Sequence, residues 1–303
     1  MAFSRPARTP DMPQWVMSSE PTFTLDPARP VLPRPDDGVQ IGWMPRHAVI
    51  VRPSSTAPAA AVRQLLHSLN DELTWSQILG LQCVKDFHDA EDIRALLEEL
   101  VDTGAVIRRT RSVTAASPVI RLVGRGPLSD TLAEALRHTS ARIQRATQSA
   151  HGKSWQHVDL AILADDLIAD TRLLRALADA EVPHLSVRAR DGTGLIGPMV
   201  LPGITSCLQC ADRHRRDRDE QWPAVAAQLT GTVGVAAPAT VLGTAAVALA
   251  QIDRVLSAIR GQAPGPLVTL NATLELDLST HALTARHWTP HPLCPCGAYF
   301  TGN

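Results

Sequence analysis

Two short cysteine pairs, Cys207-x-x-Cys210 in LPGITSCLQCADRHRRDRD and Cys294-x-Cys296 in HPLCPCGAYF, constrain this chain more than any other feature. Four thiols in two close pairs supply the tetrahedral sulfur set that zinc prefers, and each pair is preceded by proline, as turns often are. A knot of this kind ties the end of the chain to its middle. His214, His287 and His291 lie nearby and could substitute as ligands, but four thiolates already fill a tetrahedron. The set therefore points to structural zinc rather than to a catalytic ion with an open position, with cysteines that bind no metal as the remaining alternative.

Composition sets the scale of what such a knot closes. At 303 residues, 45% hydrophobic and 19% charged, the chain suffices for two ordinary domains with real cores. Lys+Arg of 29 against Asp+Glu of 30 leaves a net charge of -1, which removes the bulk electrostatic reason to expect nucleic acid as a partner. Five cysteines are an odd number, and no apolar segment follows the early arginines. A cytoplasmic protein with reduced thiols fits better than a secreted disulfide framework. Cys83, the unpaired thiol, has no flanking signature of an activated nucleophile and reads as a small buried residue, so no catalytic residue is assigned. The longest apolar run, 233–252, contains Pro238, Thr240, Thr244 and Gln251 and reads as a buried helix, with no membrane span expected.

Prolines from Pro6 to Pro35 mark an extended amino-terminal tail, and residues 1–29 are expected to be flexible. A small domain is expected over 30–110. It begins with a short strand at 30–32 and a hairpin of 39–43 and 48–51 turned by MPRH. Helices follow at 59–69 and 75–81. The clearest helix is DAEDIRALLEELVDTG, with Asp89 as cap, Glu91 and Asp92 opposing the positive end of the dipole, and Gly104 as terminator. A small sheet followed by three helices is winged-helix-like, yet the third helix carries Glu91, Asp92, Glu98, Glu99 and Asp102 and would repel phosphate. The order of elements over roughly 30–107 resembles the PqqD-like leader-recognition domains of ribosomally made peptide pathways. That resemblance implies a peptide added as a strand at Ala48, Val49, Ile50 and Val51 and lying against the third helix at Ile93, Leu97 and Leu100. The alternative is that these residues are only the core of a small domain.

The second domain, 117–303, opens with VIRLVGRGPLSDTLAEAL, a strand at 119–123, a turn at Gly124 and Gly126, and a helix. This is the start of a dinucleotide-type unit whose helix N-terminus holds phosphate. The pattern is half present. Ser129 stands where the third glycine belongs, and Arg145 and Ala146 end the next strand where an acidic ribose ligand is wanted. ATP is therefore not expected; if a nucleotide site is retained, Gly124, Gly126 and Asp165 form it. Asp165 follows the strand at 158–163, at the carboxyl end where open sheets place ligands, and its other reading is a helix cap. Alternating strands and helices imply an α/β, Rossmann-type, mostly parallel sheet covered on both faces. ADRHRRDRDEQW reads as a solvated helix face, or else as a source of arginines for a phosphate or partner carboxylates. A long apolar helix at 238–259 suits a core or a subunit contact, and strands at 267–271, 274–278 and 283–288 return the chain to the second thiol pair.

The stretch GPMVLPGITSCLQCADRHRRDRDEQWPAVAAQL, followed by HPLCPCG, resembles the ThiF-like cyclodehydratase-partner proteins of azole and azoline peptide (TOMM, bacteriocin-type) pathways. These are relatives of ubiquitin-activating enzymes and ThiF/MoeB adenylyltransferases. The resemblance spans roughly 119–297. It implies structural zinc on Cys207, Cys210, Cys294 and Cys296, a precursor leader peptide and a YcaO-type cyclodehydratase as partners, and a homodimer, since related adenylating enzymes are dimers. It implies a presenting role rather than catalysis, because the departures at Ser129, Arg145 and Ala146 fall where adenylating relatives hold ATP. An ATP-dependent adenylyltransferase that activates a carboxyl terminus is the alternative.

Overall fold

The computed structural model describes residues 20–54, 57–109, 117–147, 154–260 and 265–298, and the chain divides into two compact units, 1–115 and 116–303. Most of the proline-rich tail, residues 1–19, and the core of the polar joint, 110–116, lie outside the described residues.

In the first unit, strands β1 (Thr22–Leu25), β2 (Val31–Pro33), β3 (Val39–Ile41) and β4 (Val49–Val51) precede helix α1 (Ala59–Ser68). Strand β5 (Leu73–Thr74), helices α2 (Trp75–Leu79) and α3 (Ala90–Asp102), and strand β6 (Val106–Arg109) follow. They form two three-stranded sheets, ordered β5-β1-β6 and β2-β3-β4. The hairpin expected around MPRH is β3 and β4, with Gln40 opposite Ile50. Asp89 caps α3 by accepting the Asp92 N–H at 2.9 Å, and Thr74 and Gln77 close a reciprocal capping box on α2.

Two expectations for this unit change. Residues 22–25 are no tail: β1 is the central strand of its sheet, and Phe23 and Leu25 are buried. TFTL is a β-forming run between Pro21 and Pro27, and those prolines bound the strand rather than dissolve it. Ile93, Leu97 and Leu100 are core residues, at most 1% exposed, packed with Leu65, Leu66 and Ile78. Helical periodicity marks a buried face without saying what buries it, and here the unit's own core does.

The second unit runs β7 (Val119–Val123), α4 (Pro127–Leu136), β8 (Arg142–Ala146), β9 (Leu160–Ala164), α5 (Thr171–Asp179) and β10 (His184–Arg190). Strand β11 (Thr193–Val200), helices α6 (Leu208–Arg218), α7 (Trp222–Leu229) and α8 (Pro238–Ile259), and strands β12 (Ala272–Asp277) and β13 (Ala282–His287) complete it. All seven strands form one sheet, ordered β13-β12-β11-β10-β9-β7-β8. Strands β8, β7, β9 and β10 run parallel to one another, while β11, β12 and β13 continue the sheet beyond β10 by antiparallel pairing. The change of direction comes at Asp191-Gly192, both at positive φ, the pair that a tight hairpin turn requires.

Alternation along the strands covers both faces. Ile120, Leu122, Leu160 and Ile162 point toward α4 and α8, while Ala161 and Leu163 meet Leu173 and Leu177 of α5 and Leu208 of α6. The strand expected at 267–271 is a turn instead: the Leu270 N–H bonds the Leu267 carbonyl, Asn271 adopts φ 52, and β12 begins only at Ala272. Helix α8 is the only described helix long and apolar enough to cross a membrane. Val241, Ala245, Ala248, Ile252 and Leu256 bury one of its faces in the sheet core, and Leu242 is 61% exposed.

Candidate metal centre and glycine turn

Cys207 is the residue before the first turn of α6, so Cys210 follows on the same side one turn later. Cys294 and Cys296 flank Pro295 in the turn after β13. The fold brings all four together: Cys207 Sγ lies 3.7 Å from Cys210 Sγ and 3.6 Å from Cys294 Sγ, and Cys210 Sγ lies 3.5 Å from Cys296 Sγ. A tetrahedral ion with metal–sulfur bonds of about 2.3 Å has sulfur–sulfur edges of about 3.8 Å. The donor set fits such an ion in number, chemistry and spacing. Contacts with Cys210, Cys294 and Cys296 push the Cys207 thiol far above its usual range, while contact with Cys207 brings Cys296 down to about 7. Without a cation the sulfurs divide into donors and acceptors; a divalent ion would hold all four as thiolates. The backbone N–H groups of His291 and Ala298 point at Cys210 and Cys296, which favours the charged sulfur in each case.

Further contacts lash the segment after β13 to α6. His291, 4% exposed, accepts the Leu293 N–H at Nδ1 (3.1 Å), so its Nε2–H faces Asp217 Oδ2 at 2.8 Å. His214 Nε2 lies 3.0 Å from the Thr289 carbonyl. These groups could hold a second ion by proximity, but their polar atoms are already engaged as a strap. Asn271 Oδ1 accepts the Ser206 N–H at 2.7 Å, and the Trp288 N–H reaches the Asn271 carbonyl at 2.8 Å.

Arg215 departs from the solvated-face expectation for α6. It bonds Asp212 at 2.7 Å and lies between the Trp222 and Trp288 rings, 5.3 and 5.1 Å from their centroids. Arg216 and Arg218 are exposed, as a solvated face requires. Next to Cys207 and Cys296 is a cavity of about 420 Å³ that His184 also lines. His184 Nδ1 is 3.0 Å from the Val182 carbonyl, and burial lowers its pKa to about 4. Cys83 is buried, and desolvation raises its thiol, as befits an inert residue.

Gly124, Gly126 and Asp165 meet at the carboxyl ends of β7 and β9. Asp165 caps a helix, but not the one that follows it. Its carboxylate accepts the N–H groups of Gly126 (2.8 Å), Leu128 (2.9 Å) and Ser129 (3.3 Å) at the start of α4, while Asp170 caps α5. Ser129, in place of a third glycine, donates to the Gly126 carbonyl at 2.8 Å. At the end of β8, Arg145 pairs with Asp130 and Ala146 pairs in register with Val123, so the strand itself ends without a carboxylate of its own.

No family profile matches the chain, and no curated protein matches it by sequence. Among solved structures it is similar to the heterocyclase TruD, at 19% identity and TM-score 0.62, over 92% of this chain and 43% of that one. A heterocyclase in complex with substrate and cofactor matches at 17% identity and TM-score 0.61, over 92% of this chain and 39% of that one. The microcin C7 biosynthetic enzyme MccB, in complex with N-formylated MccA, matches at 10% identity and TM-score 0.54, over 91% of this chain and 99% of that one. At these identities the likeness is one of fold, and the chain spans about two fifths of the heterocyclases' length.

Proposed function

We propose that this protein binds the leader of a ribosomally made precursor peptide and presents the peptide to a separate YcaO-type, ATP-dependent cyclodehydratase that forms azoline or azole rings. The observation that carries the reading is a free sheet edge in the first unit of a chain whose fold is similar to heterocyclases over 92% of its length. Strand β4 pairs with β3 on one side only among the described residues, and Ile50 on it is 42% exposed. Such an edge accepts a peptide strand through main-chain hydrogen bonds. Ala48, Val49, Ile50 and Val51 are the contact residues of this proposal; Ile93, Leu97 and Leu100 are not, because they are core. Solved structures of this fold that hold peptide or substrate, among them MccB with MccA, are in keeping with a peptide ligand.

In this reading the four cysteines hold structural zinc, and the exposed strip around Val235 and Leu242 joins two copies of the chain. The test starts from the neighbouring genes, where a YcaO-type reading frame and a short Cys/Ser/Thr-rich peptide are expected. Fluorescence anisotropy of that peptide's leader should show saturable binding to the full chain, and Ile50→Asp should weaken it at least tenfold without unfolding the protein. A leader that binds wild type and Ile50→Asp equally would remove β4 from the proposal, and one that binds neither would remove peptide presentation.

A further inference from the structure

A glycine turn running into a helix is an anion cradle, because the first N–H groups of the helix lack intrahelical partners and carry the positive end of its dipole. At the start of α4 this cradle is occupied by the protein itself. Asp165 Oδ2 accepts the Gly126 N–H at 2.8 Å, and Oδ1 accepts the Leu128 N–H at 2.9 Å. Ser129 N–H lies 3.3 Å from both oxygens. The carboxylate thus makes the contacts that a phosphate would make.

Two further observations show that the arrangement is built in. A Cβ on Gly124 would come within 2.7 Å of Asp165 Oδ2, and one on Gly126 within 2.8 Å of Oδ1, so the glycines make room for Asp165. Asp165 itself sits at φ 74 and is 1% exposed. Residues 230–234 then pack against the turn. The Gly234 N–H donates to the Asp165 carbonyl and the Leu167 N–H to the Thr232 carbonyl, both at 2.9 Å, and Arg125 holds the Gly231 carbonyl. Val233 Cγ1 stands 2.9 Å from where a Gly126 Cβ would lie.

We infer that Asp165 is a built-in counter-anion: the turn is an oxyanion site filled by the chain's own carboxylate, closed to nucleotide phosphate until that carboxylate is removed. The inference stands independently of the peptide reading. Asp165→Gly suits the positive φ and removes an acetate-sized group, which makes chemical rescue the direct test. In the full-length, metal-loaded protein the variant should melt several degrees lower than wild type. Sodium acetate, and separately inorganic phosphate, should then raise its melting temperature saturably above an ionic-strength-matched chloride control, while wild type responds alike to all three. A variant on which acetate and phosphate act no better than chloride would overturn the inference.

Should Asp165→Gly not fold, two other measurements decide. Asp165→Asn keeps the shape and loses the charge; hydrogen exchange at the Gly126 and Leu128 amides should quicken at least tenfold, and unchanged exchange would count against the inference. In wild type, the amide resonances of Gly126, Leu128 and Ser129 should stay in place when Mg-ATP is added. Saturable shifts there would overturn it.

Discussion

The cysteine knot and the glycine turn are two places in the described fold whose groups suit an ion, and they differ in where the counter-charge comes from. At the knot, four sulfurs within bonding reach of one point all favour the same sign once ionised, so the chain supplies donors and a counter-cation would come from outside. At the turn, backbone N–H groups favour an anion, and the chain supplies it through Asp165. A metal-loaded knot would therefore depend on solution conditions for its completion, whereas the turn is complete when the chain has folded.

The largest test of this difference falls on the knot. Cys294→Ser should lose the metal and the cooperative unfolding of the second unit, with elemental analysis falling from about one zinc per chain to none, as a single tetrahedral site requires. A metal-free protein of equal stability would break the comparison at once. At the turn, Gly126→Ala should cost about 4 kcal/mol by denaturant unfolding, because overpacking and loss of the charged hydrogen bonds act together. It should do so without changing the metal content.

Acid should act on the knot side through His184. Burial lowers its folded pKa from 6.5 to about 4, so the unfolded chain takes up a proton first as pH falls. Stability is full above about pH 6.5, declines toward pH 4 by about 3 kcal/mol, and levels off below. His184→Leu should flatten that part of the profile relative to wild type. The smallest effect is expected at Arg215→Ala, about 1 kcal/mol, since the lost ring contacts and Asp212 bond are partly offset. Burial first, and then the Arg215 charge, lower the pKa of Arg188 to about 10, and removing Arg215 relieves that repulsion.

Local signals carried much of this structure. The capped helix α3, the hairpin of β3 and β4, the run from β7 to β9 and the long helix α8 were legible because each is specified by periodicity or caps within a few residues. The cysteine set was legible because thiol pairs state their ligand chemistry in their spacing. What escaped depends on distant partners. Nothing near Asp165 marks it as the cap of a helix whose turn lies 39 residues earlier at Gly126. Nothing in ADRHRRDRDEQW separates Arg215, held between two indoles, from the exposed Arg216. β1 was hidden by its flanking prolines, and α3 showed an apolar face that its own unit turned out to bury. Asp191-Gly192 was a local signal of the β10–β11 hairpin that periodicity alone passed over.

The most direct measurement of the central claim, that this fold presents a peptide and does no nucleotide chemistry of its own, is titration calorimetry of Mg-ATP into the zinc-loaded full chain. The account predicts no saturable heat. Stoichiometric binding accompanied by pyrophosphate exchange would contradict it and restore the adenylyltransferase.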